Sequence, residues 1–354
     1  MTITFLVSGV LSNPSGGYKV IFEYANRFAA DGYVVNIVMG LTSVKLKTTL
    51  AAFVRYPLYK LKNNYLPNNW FNLDENIKCY FNFSLVEKNI PESDVIIATA
   101  SSTSFFLNKY KKNCKKIYFI QGYEDWCVGE KRLIESYKFD LKKIVIANWL
   151  KQKIISKDGC ENSSIVEIPN GFDFSYFNLR NEISKRNKFS ILMMYSPMPV
   201  KRCQDSFEAL KIVKNKYPNL EIKMFGAYES PVNLPFDFEY FKSPNKELHN
   251  KLYNSSAIYI AASSVEGWGL TIGEAMICGC AVACTDNDGF KIMAHNEETA
   301  LLSPVYDYAK LADNILRLIE NDDLRIRIAS EGNKYIQSYT WDNSYQLFKN
   351  TVIN

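Results

Sequence analysis

Residues 257–286, AIYIAASSVEGWGLTIGEAMICGCAVACTD, decide how the whole chain is read. AIYIAASS is a short unbroken apolar run of the kind a buried parallel strand shows. GLTIGEAMICG suits a short helix, and AVACTD is a second buried strand. Strand, helix and strand in this order specify a parallel pair joined by a crossover. Glu266 and Glu274 flank the turn, with Gly267, Gly269 and Gly273 around and between them. A continuous helix would separate the two acids by about 12 Å along its axis. Gly267 and Gly269 argue against one. The expected arrangement has Glu266 ending the strand, GWG turning, and the helix starting near Leu270–Thr271 with Glu274 on its first turn.

The free N–H groups of such a helix start attract anions, phosphate above all. A carboxylate repels phosphate, so both glutamates are expected to face hydroxyl groups as ionised acceptors. A molecule with a central diphosphate and a polyol at each end, such as a nucleotide sugar, meets that description. The same acids also fit plainer roles, one favoured by the helix dipole and the other on the surface. The loop YSPMPVKRC (195–203) follows another strand and ends with Lys201 and Arg202. These cations could reach the same site, or be ordinary solvated residues near a helix start.

Outward from this segment the alternation persists. In the first half, ITFLVSGV, YVVNIVMG, DVIIATA (94–100), KIYFIQG (116–122) and KIVIAN (143–148) read as strands. The loop LSNPSGG leads into a helix with apolar residues Val20, Ile21, Tyr24, Ala25, Phe28 and Ala29 at helical spacing, ending at Gly32. SIVEIPNGFD (164–173) closes this half with a turn, and FSYFNLRNEISKRNK (174–188) reads as a polar linker. The pattern then restarts with FSILMMYS (189–196), a helix over 203–218, LEIKMFG, AIYIAAS and AVACTD. KELHNKLYNSS and YAKLADNILRLIEND are further helices. The expected fold is α/β with two Rossmann-like domains, each a mostly parallel sheet, facing each other across a cleft. Ligands of such sheets sit at the carboxyl ends of the strands.

The length of 354 residues fits two domains. Hydrophobic content of 47% and charged content of 22% are ordinary for a globular chain. No apolar run is long enough to cross a bilayer, and the opening MTITFLVSGVL is read as a strand rather than a signal peptide. Eight cysteines include no C-x-x-C pair, and those in CGCAVAC are expected to be small buried residues in a reduced cytosol. The net charge of +5 is uneven: residues 1–170 hold 22 Lys+Arg against 15 Asp+Glu, and the remainder 20 against 22. KYKKNCKK (109–116) is a basic cluster. KLKTTLAAFVRYPLYKLKNNYLPNNW (45–70) mixes cations with large apolar residues and suits a membrane interface. It equally suits a solvated face over a core helix, because Pro57 interrupts any long helix there. Neither of the two histidines, His249 and His295, has a partner pattern, and both are expected in surface roles. No Ser-His-Asp order, P-loop, Gly-x-Gly-x-x-Gly or Asp-x-Asp motif is present. A nucleic-acid role lacks the motif that would accompany a basic half.

The motif EGWGLTIGE, two acids with seven residues between them, resembles the donor-site signature of family 4 retaining glycosyltransferases of the GT-B fold. PSGGYKVIFEYANRFAADGYVVNIV resembles that family's first loop and helix, and IANWLKQKIISKDGCENSSIVEIPNGFDFSYF its end-of-domain segment. ELHNKLYNSSAIYIAASSVEGWGLTIGEAMICGCAVACTDNDG resembles its donor-binding half. IYFIQGYEDW looks most like members that build bacterial surface polysaccharides. The resemblance implies an acceptor-binding domain over 1–170, with a segment of about 340–354 packing back on it, and a donor-binding domain over 171–339. It implies a cytoplasmic hexosyltransferase, peripheral on the inner face of the cell membrane and needing no cofactor or metal. The partners implied are a nucleotide diphosphate sugar and a saccharide or lipid-linked saccharide acceptor, with no nucleic acid.

Residue by residue, the resemblance gives Glu274 the ribose hydroxyls and Glu266 the donor sugar. Backbone N–H groups of Gly269, Leu270 and Thr271 would hold the diphosphate or sugar. Lys201 falls at the family's phosphate-binding lysine. The arginine usual five residues earlier is Ser196 here, and Arg202 is the candidate to replace it. Gly16 and Gly17 would let the first loop approach the diphosphate, or form a simple turn. Gln121 stands where many members have a histidine, with Tyr123 beside it on the acceptor side; glutamine can hydrogen-bond a sugar but cannot titrate. Two other readings remain open on these residues: a nucleotide-sugar epimerase on the same fold, and a non-catalytic nucleotide-sugar-binding partner subunit.

Overall fold

The computed structural model describes residues 1–10, 14–41, 49–61, 65–67, 70–158 and 165–354, with the side chains of 49–52 and 158 left aside. Expectations for 11–13 in the first loop, for 45–48, 62–64 and 68–69 in the apolar-basic stretch, and for 159–164 lie outside the described residues. The chain divides into two compact units, Met1–Asn170 with Asp342–Asn354, and Gly171–Trp341.

The first unit is built on seven parallel strands: β1 (Thr2–Ser8), β2 (Val34–Gly40), β3 (Lys78–Asn82), β4 (Val95–Ala98), β5 (Lys115–Ile120), β6 (Lys142–Val145) and β7 (Ile165–Glu167). Their order is β3-β2-β1-β4-β5-β6-β7. The helices are α1 (Gly16–Ala30), α2 (Thr49–Leu61), α3 (Ser101–Lys109), α4 (Asp125–Val128), α5 (Glu130–Tyr137) and α6 (Asn148–Asp158). The central strands are buried along their length, because helices cover both faces of a parallel sheet. Helix α1 turns Val20, Ile21, Tyr24, Ala25 and Phe28 inward as its spacing predicts, with Phe22 joining them and Ala29 only part-buried.

The second unit has six parallel strands: β8 (Ser190–Met194), β9 (Glu221–Gly226), β10 (Glu239–Lys242), β11 (Ile258–Ala261), β12 (Ala281–Thr285) and β13 (Ala300–Ser303). Their order is β10-β9-β8-β11-β12-β13. The helices are α7 (Cys203–Lys216), α8 (Lys246–Asn254), α9 (Leu270–Ile277), α10 (Tyr308–Glu320) and α11 (Asp322–Ile336). Ile191, Met193, Leu210, Val213, Ile260, Ala283 and Ile315 belong to one buried core. Helix α12 (Trp341–Ile353) then returns to the first unit. Phe348 stacks on Tyr24 at 4.0 Å between centroids, and Tyr345 meets Phe28 edge-on at 5.2 Å. Asp31 accepts from the Tyr345 hydroxyl and the Lys349 ammonium, each at 2.6 Å.

Several expectations need correction. The stretch 174–188 is no free linker: Phe177 is buried, and the Arg186 guanidinium donates to the carbonyls of Tyr253, Ser256, Asn181 and Cys278. A cation is favoured there because helices α8 and α9 end beside the carbonyls of Tyr253, Ser256 and Cys278. Strands β3, β7, β10 and β13 are absent from the sequence reading, β7 falling at the start of the stretch read as a turn. β3 and β10 are edge strands with little burial, and β13 offers only four residues, so the apolar signal is weak. Pro57 lies inside α2 rather than ending a helix. His249 is no surface residue, since its ring packs among Phe177, Phe225 and Tyr253. Among the described residues no helix is long and apolar enough to cross a membrane.

Candidate functional site

In the second unit, the strand that follows β8 in sequence lies on one side of it, and β11 lies on the other. That is a topological switch point, where ligands of open α/β sheets bind beyond the strand ends. Lys201 comes from the loop after β8 and Glu266 from the loop after β11. Lys201 Nζ donates to Glu266 Oε1 at 2.6 Å, with 23% and 14% of the two side chains exposed. The two loops are also tied through the main chain, Ser264 N–H to the Val200 carbonyl at 2.8 Å. The pair is partly withdrawn from water, so its electrostatic weight exceeds that of a surface ion pair.

Glu266 does not end the strand. β11 stops at Ala261, and Glu266 stands in the following loop. Trp268 is 4% exposed and meets Tyr339 edge-on, which anchors the turn. Gly269 then caps α9 in a left-handed conformation, φ 93°. An L side chain is strained there, and a Cβ would crowd the ring of Phe290 at 2.8 Å. A third loop, after β12, closes on the same place. A Cβ on Gly289 would run into the backbone carbonyl of Glu266. Asn287 fixes that loop by donating to the Ser263 carbonyl at 3.0 Å and accepting from Phe290 N–H at 3.0 Å.

Glu274 is the fifth residue of α9, not part of its first turn, which holds no acid. The helix starts at Leu270, one turn ahead of it, because Gly269 supplies the cap. Glu274 is 5% exposed and accepts from the Tyr253 hydroxyl at 3.2 Å. Burial first, and the Glu274 carboxylate second, lift the Tyr253 phenol well above its ordinary value. That tyrosine therefore stays a neutral donor and orients the acid.

Arg202 turns elsewhere. It occupies the left-handed cap of α7, φ 49°. Its guanidinium grips Asp205 with two hydrogen bonds, 2.8 and 2.7 Å, and lies over the Tyr306 ring. Ser196 is 7% exposed, and its hydroxyl accepts from Met198 N–H at 3.3 Å. Neither side chain joins the Lys201–Glu266 pair.

In the first unit the switch point falls between β1 and β4. Gly16 and Gly17 form the first turn of α1, and the Gln121 amide donates to the Gly17 carbonyl at 3.2 Å. Tyr123 donates to Glu130 at 3.0 Å, with Lys153 over its ring. Burial first, and then Glu130, push the Tyr123 phenol up to about 12. Sequence reasoning assigned no role to Glu124. Its carboxylate accepts from Ser101 N–H, at the start of α3, at 2.8 Å. Burial raises its pKa, against the opposing pull of the Ser101 hydrogen bonds. The signal was present in QGYEDW, an acid just beyond a strand end, but only tertiary structure brings the start of α3 to it. Among the described residues no cluster of three or more metal-ligating side chains occurs.

Comparison with known proteins bears on the fold and on the segment that carries these loops. The family described as Glycosyl transferases group 1 matches residues 177–335. A phosphatidyl-myo-inositol mannosyltransferase of Mycobacterium tuberculosis is 26% identical over 193 residues, 51% of each chain. The capsular polysaccharide biosynthesis glycosyltransferase CapM of Staphylococcus aureus is 23% identical over 214 residues, 55% of this chain and 56% of CapM. The chain thus spans about half the length of the curated relatives it matches. Among solved structures, S. aureus TarM in complex with UDP, fondaparinux and alpha-GlcNAc-glycerol superposes with a TM-score of 0.72, at 14% identity over all of both chains. Anabaena Alr3699/HepE in complex with UDP and glucose gives 0.73, at 16% identity over 99% of each. The two parallel-sheet units share the GT-B fold of these glycosyltransferases, and the segment 177–335 matches the model of the glycosyl transferases group 1 family.

Proposed function

We propose that the chain moves a sugar from a nucleotide diphosphate sugar to a saccharide or lipid-linked saccharide acceptor, with retention of configuration and without a metal. Its setting is the building of surface polysaccharide on the inner face of the cell membrane. The observation that carries the reading is the part-buried Lys201–Glu266 pair at a switch point, with Glu266 in the loop that leads into α9 and Glu274 within that helix. The named functions of the relatives and the UDP in HepE and TarM support the same chemistry.

In this reading the first turn of α9 and Lys201 take the diphosphate, which draws the ammonium away from Glu266. Glu266, so released, accepts from a hydroxyl of the donor sugar. Glu274, oriented by Tyr253, accepts from the ribose hydroxyls. Gly16 and Gly17 let the first helix start approach the donor. Gln121 and Tyr123 meet the acceptor. The bond from the anomeric carbon to the diphosphate oxygen breaks, and a bond to the acceptor oxygen forms on the same face. The acceptor's proton passes to the departing diphosphate oxygen. Fixed positive charge stabilises that leaving group more in the transition state than in the ground state, so no protein nucleophile is required. Lys201 supplies that charge, because Arg202 is held by Asp205.

A thermal-shift panel of UDP, GDP, TDP and ADP sugars tests the reading. A ligand at a hundred times its Kd adds about 2.7 kcal/mol of apparent stability. One nucleotide class is expected to raise Tm, and donor turnover should require an acceptor. No shift with any of the four sinks the reading, and conversion of donor without acceptor points to an epimerase.

A further inference from the structure

We propose that the Tyr259 and Ser206 hydroxyls hold one water molecule beside Lys201 and through it fix where the Lys201 ammonium points. They are positioning residues for sugar transfer, so the inference rests on the function proposed above and adds two residues behind its charged centre.

Tyr259 belongs to β11, opposite Leu192 of β8, and Ser206 to the first turn of α7. Where these strands meet the starts of α7 and α9 lies a cavity of about 10 Å³, bordered by Lys201, Cys203, Ser206, Tyr259, Ser263 and Thr271. Tyr259 is 0% exposed and Ser206 1%. Neither hydroxyl has a hydrogen-bond partner among the described residues. Thr271 and the Met194 carbonyl come near the Tyr259 hydroxyl without completing a hydrogen bond. Burial above all raises the Tyr259 phenol, and the fields of Glu274 and Glu266 add to it, so it stays a neutral donor. Folded proteins rarely leave buried polar groups unpaired, because each one costs stability. Phenylalanine and alanine would fill the same places without that cost. Two such hydroxyls in one recess beside the candidate phosphate-binding lysine therefore call for a functional account.

Size and polarity select what the recess takes. The volume is at the lower bound for one water and far too small for a phosphate or a sugar. An apolar cavity stays dry, whereas this one presents hydroxyls from two elements. Tyr259 can donate to a water there, and Ser206 can accept from it. Lys201 uses one of its three N–H groups on Glu266, 2.6 Å away, and borders the same cavity. A second N–H given to the water ties down the inner side of a flexible four-carbon stem. The ammonium is then aimed before the diphosphate arrives. A charge aimed in advance stabilises the leaving group without reorganising during the reaction.

The test has a structural arm and a kinetic arm. A high-resolution crystal structure of the wild-type chain is expected to show a water within hydrogen-bond distance of Tyr259 Oη and Ser206 Oγ. Absence of that water overturns the proposal. Tyr259→Phe and Ser206→Ala each remove one oxygen, so Tm should stay within about 2 °C of wild type. Each variant should lower kcat by about tenfold, as loss of a hydrogen bond to a charged group does, and weaken nucleotide binding by less than about threefold. In a Lys201→Ala background neither should lower kcat further, because both act through the lysine. Losses that multiply in the double variants overturn the positioning role, as does a wild-type kcat for Tyr259→Phe. Absence of any transfer by the wild type overturns the function proposed above instead, while the water is read without substrate.

Discussion

The two units solve the same architectural problem and equip their strand ends differently. In the first unit the start of α3 is already answered by an internal acid, Glu124 on Ser101 N–H. Its neighbouring loop is held by a neutral contact, Gln121 to Gly17. In the second unit the start of α9 is capped by a glycine with no side chain, and the acid of the preceding loop, Glu266, is turned to Lys201. A helix start that its own chain neutralises has little to offer an outside anion; one left open beside a loop that carries a lysine has more. Under the proposed function, the difference favours the second unit for the anionic part of the ligand.

The largest test of this contrast is Lys201→Ala. Removing the cation should lower transfer by about 100- to 1000-fold, as loss of a transition-state charge partner does, read as kcat with the donor the panel identifies. Glu266→Ala should also lower kcat more than it weakens nucleotide binding. A kcat within threefold of wild type for Lys201→Ala would break the assignment of charge. Next in size is Gly289→Ala, whose Cβ meets the Glu266 carbonyl. It should cost about 1–3 kcal/mol of stability and weaken nucleotide binding, both readable by thermal unfolding with and without ligand. An unchanged Tm would show that the third loop gives way freely.

Arg202→Ala should move nucleotide Kd by less than about threefold, because an exposed guanidinium already paired with Asp205 contributes little elsewhere. A tenfold loss in calorimetry would restore Arg202 to the site. The smallest effect is expected for Asp31→Asn in the first unit. Hydrogen bonds from Lys349 and Tyr345 hold the Asp31 carboxyl below its ordinary 3.8. A depressed carboxyl stabilises the fold above its unfolded pKa and loses that contribution as pH falls through the folded value. The variant should therefore unfold slightly earlier than wild type at pH 6, and the gap should narrow as pH falls below about 3.8. A gap that widens on acidification would contradict the sign.

The sequence exposes the second unit better than the first, for physical reasons. Glu266, Gly269 and Glu274 lie within nine residues, so local spacing alone places them on one loop and the helix it leads into. Helix alternation and unbroken apolar strands likewise revealed the two sheets. What stayed hidden depends on contacts between distant segments. Arg202 and Lys201 are adjacent in sequence, yet a left-handed cap sends one to Asp205 and the other to Glu266. Glu124 needs a helix start 23 positions earlier to acquire its partner. The buried Arg186 looked like a linker residue because its partners are carbonyls, which carry no sequence signal.

Titration calorimetry of the matching nucleoside diphosphate into wild type, Glu274→Ala and Gln121→Ala tests the central claim most directly. The account predicts one site per chain, a loss of about tenfold or more for Glu274→Ala, as expected for a hydrogen bond to a charged acceptor, and no change for Gln121→Ala. Equal affinity in wild type and Glu274→Ala, or a loss confined to Gln121→Ala, would contradict it.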